Sequence, residues 1–225
     1  MPATTNAKRR AEPRTALSRE RVLRASLAVA DELGTETPTM RRLAEVLGVA
    51  PMALYRHVAN KEDLIDGLVD IVFGEIDLPP IGTGWKTAMR RRAVSARAVL
   101  SRHPWAIELM ETRSNPGGAT LRHHDAVLGS LRQAGFSVAM AAHAYSLLDS
   151  YIYGFALEQK NLPFDASNVA EMAETMLKQF PVDLYPYLAE ITFEHIMKPG
   201  YDYGDEFKFG LDLILDGLEK VRDAT

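Results

Sequence analysis

The chain has 225 residues, of which 47% are hydrophobic, and a formal net charge of −4. It contains no cysteine, which excludes disulfides and thiolate metal sites and is typical of proteins from a reducing cytosol. It shows no apolar leader and no run of about eighteen apolar residues, so secretion and membrane spanning are not expected. These properties predict a cytoplasmic protein with one large buried core or two smaller ones.

The charge is distributed unevenly along the chain. Residues 1–61 carry eleven Lys and Arg against six Asp and Glu, a net charge of +5, whereas residues 62–225 carry a net charge of −9. Phosphate groups are bound by clustered cations, so a basic head on an acidic body favours a head that binds nucleic acid. Chance clustering of charge is the alternative explanation at this point.

The first helices can be placed from their capping residues. Ser18 is suited to cap a first helix that ends at Gly34, and Thr39 to cap a second that ends before Gly48. Pro51 is typical of the first turn of a third helix.

Helical patterns continue to the C-terminus, and no alternating run typical of a strand occurs. Asn60 is suited to cap a fourth helix that runs to about Ile76, where a segment rich in Pro and Gly begins. Further helices are predicted between proline and glycine breakers at 85–102, 105–111, 117–134, 138–159, 167–180, 184–197 and 205–222. The predicted fold class is all-α.

The second and third predicted helices have the pattern of a helix-turn-helix. Leu43 and Leu47 face Leu54 and Val58 across the turn, and Gly48 permits its left-handed backbone. The outward positions are then mainly Pro51, Met52, Ala53, Tyr55, Arg56 and His57. Met, Tyr and His on one exposed face are unusual in a solvated helix but suit a helix in the DNA major groove. An ordinary helical hairpin with the same spacing is the alternative.

One string of residues in this region is distinctive. It comprises Gly34, Thr39, Arg41, Leu43, Ala44, Gly48, Val49, Leu54, Tyr55, His57, Val58, Asn60, Lys61 and Leu64. The string resembles the DNA-binding domain of the tetracycline-repressor (TetR) family almost position for position. The likeness continues through Trp85, Thr112-Arg113, Gly135-Phe136-Ser137, Gly154, Leu157-Glu158 and the final run from Phe209 to Lys220. It implies a repressor that binds a palindromic operator as a homodimer and is released by a small organic inducer.

The resemblance also implies a set of DNA-contacting residues, namely Thr39, Arg41, Pro51, Met52, Tyr55, His57 and Lys61. Arg41 is implied to reach a guanine edge, since its planar fork suits the O6 and N7 acceptors. Lys61, at the start of a helix, is implied to bind phosphate. A packed, structural Tyr55 is equally consistent with the sequence.

The domain division follows from these assignments. Residues 1–17 hold four basic side chains and few apolar ones, so we expect a flexible basic arm, which either enters the minor groove or stays solvated. Residues 18–66 are predicted to form the DNA-binding domain. Residues 67–225 are predicted to bind the ligand and to dimerise.

Two helices of the body carry apolar stripes. In the last helix the stripe comprises Phe207, Leu211, Ile214 and Leu218, with Gly210 and Gly217 beside it. In the helix at 138–159 it comprises Ala141, Tyr145, Leu148, Ile152 and Phe155. The resemblance implies that these helices form a four-helix bundle between two subunits. Burial within one subunit would explain both stripes equally well.

The expected inducer pocket lies in the same domain. Its predicted lining residues are His103, Trp105, Met110, His124, Val127, Ser150, Tyr153 and Glu158. In tetracycline-binding members a histidine after the fifth helix coordinates the drug-bound magnesium, and Met110 or Leu109 stands at that place here. Arg92 and Ala96 replace the matching asparagine and phenylalanine, and among the matched pocket residues only Glu158 keeps its type. We therefore expect a different, mostly apolar inducer, without a metal or other cofactor.

Two other classes of protein are alternatives to this interpretation. An enzyme is not expected, because the His123-His124-Asp125 and Glu194-His195 clusters lack the spacing of a metal site. The chain also has no phosphate-binding glycine loop and no nucleophile elbow. A DNA-binding architectural protein without a ligand is the second alternative, and a pocket in the body would argue against it.

Overall fold

A computed structural model describes residues 16–34, 38–110, 112–162 and 181–224, and these ranges contain helices but no strand. The α-helices are α1 Arg19–Leu33, α2 Met40–Leu47, α3 Pro51–Leu54, α4 Lys61–Glu75, α5 Trp85–Arg102, α6 Ile107–Met110, α7 Gly118–Gln133, α8 Val138–Lys160, α9 Pro186–Ile191 and α10 Tyr203–Asp223. The predicted all-α fold is confirmed. The helix predicted at 167–180 and most of the predicted arm lie outside the described residues. No helix in these ranges is both long enough and apolar enough to cross a bilayer.

The ends of the first helices follow from local chemistry. Ser18 Oγ accepts a hydrogen bond from Arg21 N at 3.2 Å and thereby caps α1. Gly34, with φ of 76°, ends that helix in a conformation that glycine adopts without strain. Gly48, with φ of 64°, makes the left-handed turn between α2 and α3. These boundaries agree with the sequence prediction.

Two helices begin or end differently from the prediction. The helix expected at 105–111 starts as a 3-10 turn at Pro104–Ala106, which continues into α6. The helix expected at 184–197 begins at Pro186 and ends in a π-helical turn, Thr192–Ile196. Proline is favoured in the first turn of a helix because its missing N–H has no partner there.

The chain divides into two compact units between Leu68 and Val69. In the N-terminal unit, Leu43 and Ala44 of α2 are buried, as are Leu54 and Val58 on the far side of the turn. In the C-terminal unit, α8 is the central helix and contacts α5, α7 and α10. Its core includes Met89, Leu100, Leu131, Leu148, Ile152, Phe136 and Phe207.

The apolar stripe predicted for the dimer seam of α10 lies inside the subunit. Phe207, Leu211 and Leu218 are buried, and the side chain of Tyr151 packs directly over Gly210. A different stripe, Phe209, Leu213, Gly217 and Val221, is exposed along the same helix. Burial within one subunit, the alternative explanation, thus accounts for Phe207, Leu211 and Leu218, while Ile214 is half-buried. A helix with apolar residues on two sides does not reveal from its sequence which side faces its own core.

The same holds for α8. Ala141, Leu148, Ile152 and Phe155 are buried in the subunit, and Tyr145 is half-buried. The exposed side of α8 instead carries Val138, Leu147 and several small residues, including Ala142, Ser146, Ser150 and Gly154.

Candidate DNA-binding surface and ligand site

The α2–turn–α3 segment presents the predicted base-reading side chains to solvent. The Arg41 side chain is 87% exposed and Met52 is 74% exposed, above the buried Leu43 and Ala44. Arg41 Nε lies 3.3 Å from Glu45 Oε1, one turn further along α2. Because this exposed ion pair is weak, Arg41 can leave Glu45 and bind another acceptor.

The other predicted DNA contacts lie on the surface of the same unit. Pro51, Tyr55 and Lys61 are exposed, and His57 is half-buried. Thr39 Oγ1 accepts a hydrogen bond from Arg42 N at 3.2 Å and so caps α2. All the predicted residues except the half-buried His57 are thus exposed, and their contacts with DNA stay predictions.

An ion pair that the sequence did not predict links α1 to the end of the recognition segment and the start of α4. Arg19 Nη1 and Nη2 donate to Asp63 Oδ2 and Oδ1 at 2.8 and 2.7 Å, and Nη1 also donates to His57 O at 3.1 Å. Ala59 N donates to Asp63 Oδ2 at 2.8 Å. The hydrogen bond from Arg19 lowers the pKa of Asp63 below its ordinary value. The pair fixes the end of the recognition segment against α1 and the start of α4.

In the C-terminal unit, some predicted ligand residues gather after α5. His103, Trp105 and Met110 are buried, and the ring centroids of His103 and Trp105 lie 6.2 Å apart. His103 Nε2 is 3.1 Å from Glu75 Oε2 at the end of α4. Arg102 Nη2 donates to the same carboxylate oxygen at 2.8 Å.

A buried polar cluster lies at the centre of this unit. Arg92 Nε donates to His123 Nε2 at 3.1 Å, and Arg92 Nη1 lies 2.6 Å from Asp149 Oδ1. Arg92 is only 1% exposed and His123 is fully buried. Burial, with a contribution from the Arg92 charge, lowers the pKa of His123 to about 3, so its ring is neutral at physiological pH. The cluster joins α5, α7 and α8.

Aromatic rings surround the imidazoles of this cluster. The Phe73 ring centroid lies 5.6 Å from that of His123 and 5.2 Å from that of His124. The Tyr145 ring is 5.6 Å from His124. Of the predicted ligand residues, His124 therefore lies beside the cluster, and the charges of Arg92 and Asp149 both act on it.

Two other predicted ligand residues lie away from the cluster. Ser150 is exposed on the outer side of α8, and Glu158 accepts a hydrogen bond from Tyr203 Oη at 2.9 Å. Val127 and Tyr153 are buried, and Tyr153 interacts electrostatically with Arg92. The sequence predicted a mostly apolar pocket. It did not predict the buried guanidinium of Arg92 and carboxylate of Asp149 at the centre of the domain. The described residues contain no group of three or more His, Asp or Glu that could hold a metal ion.

A surface groove of about 730 Å³ runs between the 78–85 segment and the end of α7. Pro80, Trp85 and Gln133 are among its lining residues. None of the predicted ligand residues lines this groove, so the described structure separates it from the buried cluster.

A second polar contact joins α4 and α7. Asp70 Oδ1 accepts hydrogen bonds from Thr120 N at 2.8 Å and from Thr120 Oγ1 at 2.9 Å, and so caps the start of α7. Gly117 lies against the same carboxylate so closely that a Cβ atom at this position would overlap it. Together with Phe73 and Glu75, Asp70 connects the second half of α4 to both α5 and α7.

Comparison with known proteins identifies the family. Residues 22–68 match the model for bacterial regulatory proteins of the tetR family, and residues 78–222 match the tetracyclin repressor-like C-terminal domain. The chain belongs to the TetR family of bacterial regulatory proteins. This TetR-family protein is a ligand-responsive DNA-binding transcriptional repressor, in agreement with the sequence prediction.

Its relatives span almost the whole chain. The transcriptional repressor DrrR1 of Streptomyces coeruleorubidus is 31% identical over 217 residues, covering 92% of this chain and 79% of that protein. The class C tetracycline repressor of Escherichia coli is 32% identical over 215 residues, covering 93% and 94%. ActR from Streptomyces coelicolor, solved in complex with actinorhodin, matches with a TM-score of 0.75 at 27% identity, covering 91% of this chain and 96% of ActR.

Proposed function

We propose that this repressor binds a palindromic operator as a homodimer in the cytoplasm. It is released when a small organic inducer reaches the buried region between α5, α7 and α8. In this proposal it acts without catalysis and without a cofactor. The observation that carries the proposal is the buried Arg92–His123–Asp149 cluster, because the Phe73 ring of α4 packs against His123.

DNA binding is assigned to the exposed α2–α3 surface. Arg41 is proposed to read a base, since a bidentate donor on an exposed helix start suits a guanine edge. Lys61 is proposed to neutralise a phosphate, because an exposed cation at a helix N-terminus adds its charge to the helix dipole. Tyr55 and His57 are proposed to add further backbone contacts.

The homodimer is assigned to the exposed stripe of α10. Phe209, Leu213 and Val221 are large apolar side chains left in solvent in the isolated subunit. Gly217 lies between them with open space above it, so a partner helix can approach closely. A helix-turn-helix reads only half of a palindrome, and a symmetric dimer supplies the second half.

Induction is assigned to α4. This helix begins at Lys61, next to the proposed phosphate contacts, and ends at Glu75. Asp70, Phe73 and Glu75 hold its second half to α7 and α5. In this proposal, a ligand that separates α5 from α7 shifts these contacts and thereby moves α4.

Selection of operators from a random DNA library tests this function. We expect an inverted repeat with half-site centres about 34–36 Å apart or a multiple of that distance. Light scattering at micromolar concentration should show a dimer. Recovery of single, unrepeated sites by a monomeric protein would contradict the proposal.

The switch is tested by titrating a compound that releases the operator. Linkage requires that such a compound bind the free protein more tightly than the operator-bound protein, by roughly 5- to 150-fold. Equal affinities in the two titrations would show that the ligand site and the DNA-binding surface are uncoupled.

A further inference from the structure

Methionine is the oxidisable sulfur of this chain. The sequence contains nine methionines and no cysteine, so no thiol of the protein competes for an oxidant. Peroxides convert the methionine thioether to a sulfoxide, and the reaction is fastest where the sulfur is open to solvent. The exposure of each methionine side chain therefore decides where an oxidant acts first.

One methionine differs from the others in the part of the chain that the structure describes. Met52 is 74% exposed. The other described methionines are buried or half-buried, namely Met40, Met89, Met110, Met140 and Met197. Among the described residues, Met52 is thus the methionine that a dissolved oxidant reaches most easily.

Met52 also occupies a functional surface. It is the second residue of α3 and follows Pro51 in the first turn. Leu54, two positions further, is fully buried and holds the short helix to the core of the N-terminal unit. Met52 and Pro51 instead lie on the exposed α2–α3 surface to which DNA binding is assigned. An accessible thioether and the DNA-binding surface therefore coincide at this residue.

Oxidation changes the chemistry of the side chain. The thioether sulfur attacks one oxygen of the peroxide, and an S–O bond forms as the O–O bond breaks. The proton of the transferred oxygen passes to the leaving oxygen, which departs as water or an alcohol. The sulfur loses two electrons and the peroxide gains them. An apolar, flexible side chain thereby becomes a polar one with a strong acceptor oxygen.

The two oxidation states suit DNA differently. An apolar side chain can pack against a thymine methyl group in the major groove. A sulfoxide must give up bound water to make the same contact, and it meets a surface rich in acceptor oxygens and nitrogens. We propose that Met52 is a site of reversible oxidation, through which a peroxide releases the repressor from its operator without occupying the inducer site. This inference rests on the proposed DNA binding and adds to it a second, ligand-independent route of derepression.

The test is treatment of the full-length protein with hydrogen peroxide, ended by catalase. Mass spectrometry of proteolytic peptides reports the sulfoxide fraction at each methionine, and Met52 should be oxidised ahead of the buried and half-buried ones. Affinity for the operator selected from the random library should fall about tenfold or more as the Met52 sulfoxide fraction rises. The methionine sulfoxide reductases MsrA and MsrB together should restore binding, since each reduces one epimer of the sulfoxide.

Three variants assign the effect to Met52. Met52→Leu has a side chain of similar volume without sulfur, so it should bind the operator before and after peroxide treatment. Met52→Gln places a polar acceptor there permanently and should bind weakly without any treatment. Met140→Leu, the same substitution as the first at a half-buried methionine of α8, is the control and should lose operator binding with peroxide as the wild type does.

The inference would be wrong on any of three results. These are oxidation of a half-buried methionine ahead of Met52, unchanged operator affinity of protein fully oxidised at Met52, or an equal loss of binding in treated Met52→Leu. Failure of the proposed function gives a different result, because untreated wild type would then bind no palindromic operator. That result would contradict the release step as well, while the peptide analysis would still decide whether Met52 is the preferred site of oxidation.

Discussion

The two units of the molecule place their functional polar groups in opposite environments. In the N-terminal unit, Arg41 and Lys61 are exposed and come from one continuous stretch of chain. In the C-terminal unit, Arg92, His123 and Asp149 are buried and come from three different helices. Exposed groups interact weakly with their own protein and are available to DNA. Buried groups depend on one another, so each change among them affects both the fold and the ligand.

The largest loss of stability is expected from a substitution in the buried cluster. Arg92→Leu leaves the Asp149 carboxylate buried without its partner, which should lower the free energy of unfolding by about 3–5 kcal/mol. Urea denaturation followed by tryptophan fluorescence measures it, since Trp85 and Trp105 both lie in the C-terminal unit. The double variant Arg92→Leu/Asp149→Leu should recover most of the loss. An equally unstable double variant would show that the ion pair is not the cause.

Arg41→Ala gives the opposite pattern. Its side chain is exposed, so the free energy of unfolding should change by less than about 0.5 kcal/mol. Specific operator binding should weaken by about 1–3 kcal/mol, with relaxed preference at one base pair. Competition between operator and random DNA measures this, and Lys61→Ala is the matched control because it should weaken both alike. Equal losses on both DNAs in Arg41→Ala would contradict base reading.

Gly217→Leu tests the exposed stripe of α10. Nothing in the subunit lies within 4 Å of a Cβ at this position, so the isolated subunit should fold normally. The added side chain should weaken the dimer by about 1–3 kcal/mol through overpacking. Light scattering over a dilution series measures the dissociation. Gly129→Leu, at another open glycine on α7, is the control, and equal effects of the two would argue against the α10 seam.

The smallest effect is expected from the Arg19–Asp63 pair. The pair is partly exposed, so Asp63→Asn should lower the free energy of unfolding by about 0.5–1 kcal/mol. Because the native pKa of Asp63 is lowered, its contribution is complete above the ordinary value of 3.8 and is lost as the pH falls through the native pKa. Urea denaturation at pH 6 and below about pH 4 should thus show the difference between wild type and variant shrinking with acid. A constant difference would exclude this linkage.

The sequence predicted well what depends on neighbouring residues. Ser18, Gly34, Thr39 and Gly48 each act within a few positions, so the helix ends around the DNA-binding surface followed from them. The partner of Arg19 is 44 positions away, and no local pattern indicates it. The sequence shows an acidic residue, Asp63, in the first turn of α4. Its contacts with Arg19 and with the backbone after α3 depend on the tertiary fold and could not be predicted from the sequence.

The body was harder to predict because its helices are apolar on more than one side. Phe207 and Phe209 are two positions apart on α10, yet one is buried in the subunit and the other is exposed. Ser150 and Asp149 are adjacent on α8 and face opposite surroundings for the same reason. Arg92 was noted only as a departure from a family asparagine. Its burial against His123 depends on the packing of α5 on α7 and α8, which periodicity alone does not determine.

Gly117 has a consequence for how such a repressor changes under mutation. Its backbone lies against the Asp70 carboxylate, and any side chain at this position would displace the carboxylate from the start of α7. Gly117 is neither one of the residues proposed to contact DNA nor one of the residues of the buried cluster. A genetic screen for repressors that no longer respond, or that are permanently derepressed, should therefore recover substitutions at position 117. Such a mutant would be defective in regulation although the substituted residue is not proposed to contact either DNA or the inducer.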